Sequence, residues 1–454
     1  MKQSSRKWNI VKKIIGGLLI ISVLFIVVLV ASAKVSLTPS GSYYKLYLLG
    51  IISAKLSYSG AAEKANFDNH PFSGPIVEFD NEKIATKYST NTVHWYCLNQ
   101  AYSQEVNQKK ITIDCQGDSH SFEWSETFGT PVIEQDLLAD NILVLSDIHG
   151  DIDYLNSILT EMKVVDEKGD WQWQENQLVI TGDSVDKGPA DFAVLWRLYQ
   201  LSQQATNSGG TVHVLIGNHE NYQLRGNHSR LHTDLRVKAF AMAENLTAST
   251  TTYSQQTILG KWLRTRPIVI RLGKYLFTHG GLSKTHLKSK YTLSELNESV
   301  WEYYRADKLS TLNPTEQFSL TLGREGLIWF RGQLRENKKN TPTSKELANI
   351  LKQYGAEVLV IGHSAVDVLE AKIDNQVWPV HAEHKSGQVL LIEQGQAKIQ
   401  TVNSQWYDYD SVKKEARKTK RALRLLNSSE GDSELGVIGK MYTSIKELSR
   451  RTSL

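Results

Sequence analysis

From residue 140 onward, short apolar runs recur along the chain, and each ends in a residue that can do chemistry. Residues 141–147 read NILVLSD, 177–183 QLVITGD, 211–218 TVHVLIGN, 274–279 KYLFTH and 357–363 EVLVIGH. Unbroken apolar runs of this length suit strands covered on both faces. Between the first three runs, Ile152–Met162 and Asp191–Ala205 place apolar residues at helical spacing. Strand, helix, strand in alternation predicts an α/β body. The stretch Val366–Val402 is again strand-like, with turn signals at 385–387 and 394–395. Residues 34–135 differ: short runs alternate apolar and polar positions between Gly, Asn, Asp and Ser, which predicts a small β-rich module with no catalytic signature.

The N-terminus adds a further element. Ile14–Ala33 is a run of 20 uncharged, mostly apolar residues. As a helix it would extend about 30 Å, the thickness of a bilayer core. Five positive charges precede it, which predicts a cytoplasmic N-terminus and a catalytic body on the outer side. The run exceeds a signal-peptide core of roughly 7–15 residues. That favours an uncleaved, single-pass anchor in the inner (cytoplasmic) membrane. Cleavage after Ala33, within Ala31-Ser32-Ala33, would instead release the chain into the periplasm. The expected organisation is a basic leader (1–13), an anchor or signal segment (14–33), a β-rich module (34–135), a catalytic domain (136–405) and a basic helical extension (406–454).

Charge and cysteine content narrow the function classes. The net charge is +4, with +5 in the first 13 residues and +6 in 411–454, which leaves 34–410 at −7. A mildly acidic body does not suit a nucleic-acid binder. Two cysteines exclude a Cys-rich zinc module. Cys97 and Cys115 end two strand-like segments. A disulfide between them suits an oxidising compartment; two buried free thiols are the alternative.

The chemistry lies where the apolar runs end. Residues 147–151 read DIHGD, 182–188 GDSVDKG, 217–220 GNHE, 278–281 THGG and 362–363 GH. Each is weak alone. Five in order, each after a strand, place carboxylates, imidazoles and one amide at one sheet edge, where α/β proteins gather ligands. The set suits Mn, Fe or Zn and contains no thiolate.

Together these motifs resemble the calcineurin-like metallophosphoesterases, in their phosphoprotein phosphatase branch, over roughly residues 140–395. Trp171-Gln172-Trp173 and the segment 327–332 (LIWFRG) are similar to bacterial Shewanella-like protein phosphatases. The resemblance implies a four-layer αββα sandwich holding two divalent metal ions, manganese favoured over iron or zinc. Asp147, His149 and Asp183 would hold the first ion, and Asp183, Asn218, His279 and His363 the second. It further implies that a metal-bridging hydroxide attacks phosphorus. His219 then acts as general acid, Asp186 orients its imidazole, and Arg331 and Lys187 bind phosphate. Most relatives carry Arg at the Lys187 position, and a lysine loses the bidentate fork. Arg225 is a weaker substrate-binding candidate. Asp151, Glu220 and Asn221 would support the ligands. His213, His228, His232, His381 and His384 carry no motif and are expected as ordinary core or surface imidazoles.

The expected activity is hydrolysis of phosphomonoesters on phosphorylated Ser, Thr or Tyr side chains, or on a small phosphoester. A nucleotide or dinucleoside polyphosphate hydrolase on the same core is one alternative, and a catalytically weak tethered scaffold is another.

Overall fold

The computed structural model describes three strands within 34–57, then residues 71–79, 91–98, 100–227, 252–305, 315–335 and 340–406, with single positions between 230 and 246. The leader, the expected anchor at 14–33 and the expected helices beyond 406 lie outside the described residues. Among the described residues, no helix is long and apolar enough to cross a membrane.

The chain divides into two compact units, residues 66–412 and the two ends 1–65 with 413–454. The end unit contains an antiparallel sheet of β1 (Lys34–Leu37), β2 (Tyr43–Leu48) and β3 (Ile52–Ser57). The larger unit begins with an antiparallel sheet of β4 (Phe72–Phe79), β5 (Asn91–Cys97) and β6 (Gln100–Val106), followed by the hairpin β7 (Lys110–Cys115) and β8 (Asp118–Glu123). Cys97 and Cys115 form a disulfide that joins the end of β5 to the end of β7.

The sequence places 34–135 in one β module, whereas here 72–135 shares a core with the catalytic body. Ile76, Val93, Ile113 and Phe122 belong to one buried cluster with Trp196 and Tyr199. The Trp196 indole also donates a hydrogen bond to the Pro75 carbonyl (2.8 Å). These contacts span many residues of chain, so local alternation could not reveal them.

The catalytic body is built on two five-stranded sheets. One has β10 (Asn141–Leu145), β11 (Gln177–Ile180), β12 (Thr211–Val214), β17 (Gln388–Glu393) and β18 (Gln396–Thr401), in the order β12-β11-β10-β17-β18. The other has β9 (Glu134–Gln135), β13 (Val269–Leu272), β14 (Tyr275–Thr278), β15 (Val358–Ile361) and β16 (Val377–Pro379), in the order β16-β15-β14-β13-β9. The strands β10, β11 and β12 run parallel, and so do β14, β15 and β16.

Strand periodicity explains why the runs are apolar throughout. Ile142, Val144 and Val179 point into an inter-sheet core shared with Ile270, Tyr275, Phe277 and Val360. Their neighbours Leu143, Leu145, Leu178, Leu276 and Leu359 face the opposite way, into a second core. Helices supply that outer core. They include α1 (Ile152–Glu161), α2 (Asp191–Asn207), α3 (Asn218–Leu224), α4 (Ile258–Leu263), α5 (Leu293–Arg305), α6 (Glu316–Thr321) and α7 (Ser344–Gln353). Leu155 and Ile158 of α1, Leu195 and Leu198 of α2, and Leu347 and Ile350 of α7 are all fully buried there. Each sheet thus has helices on its outer face and the other sheet on its inner face. The expected turn at 394–395 joins β17 to β18, with Gln394 and Gly395 both at positive φ, as a two-residue hairpin turn requires.

Two predictions follow from buried groups remote from the sheet edge. The disulfide closes a sequence separation of 18 residues, a loop worth about 3 kcal/mol. Replacing both Cys97 and Cys115 by Ser should lower the urea midpoint accordingly; an unchanged midpoint would show that the bridge constrains little. His286 is fully buried, with Nε2 donating to the Leu320 carbonyl (3.2 Å), and burial pushes its pKa down to about 4. The unfolded chain therefore binds the extra proton between roughly pH 6.5 and 4. This contribution is complete above pH 6.5 and is lost as the pH falls towards 4. His286→Gln should flatten that part of the stability–pH curve.

Candidate active site

The parallel strands decide where the functional side chains collect. Asp147 lies two residues past β10, Asp183 three past β11, and Asn218 opens α3 just after β12. His279 directly follows β14, and His363 lies two residues past β15. Because each set of strands is parallel, these residues emerge on one edge of each sheet, and stacking of the sheets brings the two edges together.

The loops must turn sharply to aim the side chains inward. Asp147, His149, Asp183, Asp186, Lys187 and His363 all adopt φ between 51° and 70°. Non-glycine residues pay for that conformation with roughly 1–3 kcal/mol each, and it persists where the surroundings enforce it. Glycine is required where the loops touch. A Cβ on Gly362 would clash with Ser146 Oγ and sit 2.7 Å from Asp147 Oδ1.

Two donor groups result, sharing Asp183: His149 and His219 gather at it on one side, His279 and His363 on the other. In the first, His149 Nε2 lies 3.4 Å from Asp147 Oδ2 and 3.8 Å from Asp183 Oδ2. In the second, His279 Nε2 lies 3.1 Å from Asp183 Oδ2, 3.0 Å from Asn218 Oδ1 and 3.1 Å from His363 Nδ1. The ring orientations are held from behind. His149 Nδ1 donates to the Val185 carbonyl (3.0 Å), and His279 Nδ1 donates to the Thr181 carbonyl (3.0 Å). Each therefore presents Nε2 to the cluster, the arrangement that metal-binding histidines use. Anionic and neutral donor atoms packed at these distances fit divalent cations: Asp183 could bridge two ions, and neutral Asn and His ligands would leave the pair net positive.

Electrostatics agree with a site built for cations. Asp147 and Asp183 are only 1% and 2% exposed. Burial would raise the Asp183 carboxyl, yet the charges of His279 and His219 hold it far below the usual range. Burial of Asp147 is likewise outweighed by His381 and His149, which hold it well below the usual range. Burial opposes charge on His279, but Asp183 raises it to about 9. Burial, followed by the Lys187 charge, lowers His149 to about 4. Protons on imidazoles do here what cations can do instead.

Beside the cluster, His219 Nδ1 donates to Asp186 Oδ2 at 2.7 Å, and its Nε2 lies 3.8 Å from Asp183 Oδ2. Arg331 NH1 donates to the His363 carbonyl (2.7 Å), which places the half-buried guanidinium at the rim. The Lys187 ammonium contacts His149 Nε2. Arg225 is exposed at the far end of α3. Tyr222 and Trp329 meet edge to face at 5.6 Å and continue to His219 and His363, forming an aromatic wall along the site.

The supporting residues have definite tasks. Glu220 accepts from the backbone N–H groups of Asp183, Ser184 and Gly217, so one buried carboxylate ties two motif loops together. Asp151 accepts from Tyr154 N and caps α1. Asn221 Oδ1 accepts from the Tyr304 hydroxyl (3.0 Å).

Two histidines depart from expectation. His381 was expected as an ordinary imidazole, yet its Nδ1 lies 2.9 Å from Asp147 Oδ2. His384 faces Asp151 Oδ2 at 2.9 Å and the Asp147 carbonyl at 3.0 Å, with its ring stacked on Tyr154. The sequence does carry a signal for His381. Val377–Pro379 is a short apolar strand, and His381 follows it by two residues, as His363 follows β15. His213 is an ordinary core residue of β12, buried and lowered to about 4 by burial and the Arg266 charge. His228 and His232 lie outside the described residues.

The family model for the calcineurin-like phosphoesterases matches residues 141–367, the stretch that holds both donor groups. The chain belongs to that family. Membership places it among the metal-dependent phosphoester hydrolases. Shewanella-like protein phosphatase 1 of Plasmodium berghei (strain Anka) is 28% identical over 233 residues, covering 49% of this chain and 60% of that protein. Shewanella-like protein phosphatase 2 of Arabidopsis thaliana is 20% identical over 269 residues, covering 50% of this chain and 67% of that protein. This phosphoesterase chain thus spans only part of the length of those relatives. A crystal structure of a cold-active protein-tyrosine phosphatase from a psychrophilic Shewanella species is 26% identical, with a TM-score of 0.62, over 74% of this chain and 98% of that one.

Asp183 is common to both donor groups, so Asp183→Asn should remove more than one ligand's worth of affinity. The expected outcome is fewer than two tightly bound metals per chain by elemental analysis, with activity lost. Full metal content and full activity in this variant would contradict the shared-carboxylate geometry.

Proposed function

We propose that the chain is a dinuclear-metal phosphatase that hydrolyses phosphomonoesters on protein side chains, with phosphotyrosine preferred. The observation that carries this reading is the His219–Asp186 pair (2.7 Å) set directly beside the donor cluster. Two divalent cations, manganese favoured, would supply Lewis-acid charge to the phosphoryl oxygens and acidify an attacking water. Asp147, His149, Asp183, Asn218, His279 and His363 would hold them.

The chain's own residues supply the remaining steps. Burial opposes charge on His219, but Asp183 and the hydrogen bond to Asp186 raise its pKa. The shift favours the protonated imidazole, whose Nε2 faces the cluster. That proton can pass to the leaving oxygen, the role of a general acid. Asp186 is itself pushed up by burial, against the pull of His219, and fixes which ring nitrogen faces the substrate. Arg331 still has N–H donors beyond those spent on His363, enough to clamp phosphoryl oxygens. Lys187 adds a point charge, and Arg225 is the outermost candidate for substrate contact.

Two observations favour an aromatic leaving group. Tyr222 and Trp329 line the path from His219 to His363, and an aryl ring can pack edge to face on them. The structurally similar Shewanella enzyme is described as a protein-tyrosine phosphatase. An extracytoplasmic location belongs to the same reading, supported by the Cys97–Cys115 disulfide and by the basic leader before the apolar run.

Leaving-group dependence tests the reading. With Mn²⁺ supplied, the wild-type protein should hydrolyse p-nitrophenyl phosphate and phosphotyrosine peptides, and phosphoserine peptides more slowly. His219→Asn should cost about 10²–10³-fold on phosphotyrosine and far less on p-nitrophenyl phosphate, whose leaving group needs little protonation. An equal loss on both would remove His219 from the proton-donor role. No monoester hydrolysis by the wild type would overturn the proposal.

A further inference from the structure

We propose that His381 is a further ligand of the first metal ion, completing the group made by Asp147, His149 and Asp183; this rests on the dinuclear-metal reading above. The argument begins with topology. His381 lies two residues past β16, which runs parallel to β15 and β14. It therefore reaches the same sheet edge as His363 and His279, by the same route.

Distances agree. His381 Nδ1 lies 2.9 Å from Asp147 Oδ2, and His149 Nε2 lies 3.4 Å from that same oxygen. For metal–ligand bonds of about 2.1 Å, neighbouring donors stand ~3.0 Å apart in an octahedron and ~3.4 Å apart in a tetrahedron. The two spacings at Asp147 Oδ2 lie close to these values.

Orientation agrees as well. Despite the short separation, His381 Nδ1 is buried and makes no hydrogen bond. The rings of His149 and His381 are 6.3 Å apart and tilted by 66°, so they do not stack. Two imidazoles converging on one carboxylate oxygen, with one nitrogen left without a hydrogen bond, is the arrangement of ligands around a common point. The carboxylate is already held from its other side: Asp147 Oδ1 accepts from Ser146 Oγ (2.7 Å) and His363 N (2.9 Å). It does not need His381 to fix it.

Mn²⁺ binding to the full-length protein distinguishes a ligand from a support. Free Mn²⁺ is counted by electron paramagnetic resonance during titration of wild type, His381→Ala and His381→Asn. Asparagine keeps a polar amide beside Asp147 without supplying an imidazole. The expected result is two tight ions in wild type. In both variants, one ion stays tight and the other weakens at least 10-fold; the retained ion shows that each variant is folded. Wild-type affinity at both sites in either variant would overturn the ligand role while leaving the two-metal reading intact. Fewer than two ions in wild type would overturn that reading, and this proposal with it.

Discussion

The structure depends on two buried carboxylates of like charge held at one sheet edge. Asp147 and Asp183 are removed from water, and each approaches the same His149 nitrogen. Buried anions are costly unless positive charge compensates them. The surrounding residues all answer that requirement. His279, His219 and Lys187 approach from different loops, and backbone N–H groups of His219 and His363 donate to the two carboxylates. The strained φ angles of the six loop residues follow from it too, since only a sharp turn directs these side chains to a common point. A divalent cation satisfies the same requirement more completely than a protonated imidazole, because it neutralises without occupying the ligand nitrogens.

Much of this was legible in the sequence because each of the clustered residues follows a fully apolar strand. An unbroken run such as 142–145 predicts burial on both faces, and the first polar residues after it must lie at the sheet edge. That rule puts Asp147, Asp183, Asn218, His279 and His363 at the sheet edges, while their expected ligand roles came from the family resemblance. His219 and Asp186 came from the family resemblance, and the structure sets them 2.7 Å apart.

His381 and His384 escaped for a physical reason. Their strand has only three residues, Val377–Pro379, and lacks the long apolar run that marks the others. Their partners Asp147 and Asp151 lie more than two hundred residues earlier, and no local pattern encodes such a pairing. Glu220 was seen as part of a motif, but not as the acceptor for three N–H groups of two loops. That task depends on where β11 and β12 end side by side. The packing of 72–135 against Trp196 and Tyr199 was invisible for a similar reason: alternation reports which face of a strand is buried, not what lies opposite.

The packing of that module explains how the His219–Asp186 pair is held. Helix α2 carries both connections. At its start, the Asp191 carboxylate accepts from Asp186 N through both oxygens (3.0 Å each), and Ala190 N donates to the Gly150 carbonyl. Along its length, Trp196 donates to the Pro75 carbonyl and packs edge to face on Phe122, while the Tyr199 hydroxyl accepts from Ser125 N. The loop that positions Asp186, and through it His219, therefore rests on a helix whose other side is clamped by β4 and β8. The disulfide between β5 and β7 constrains that clamp. A helix fixed only by the catalytic sheet could shift along its axis with little change in apolar contact, whereas directional hydrogen bonds from two residues on its outer side prevent such sliding. The β module thus contributes to the placement of the His219–Asp186 pair without contributing a described residue to the cluster.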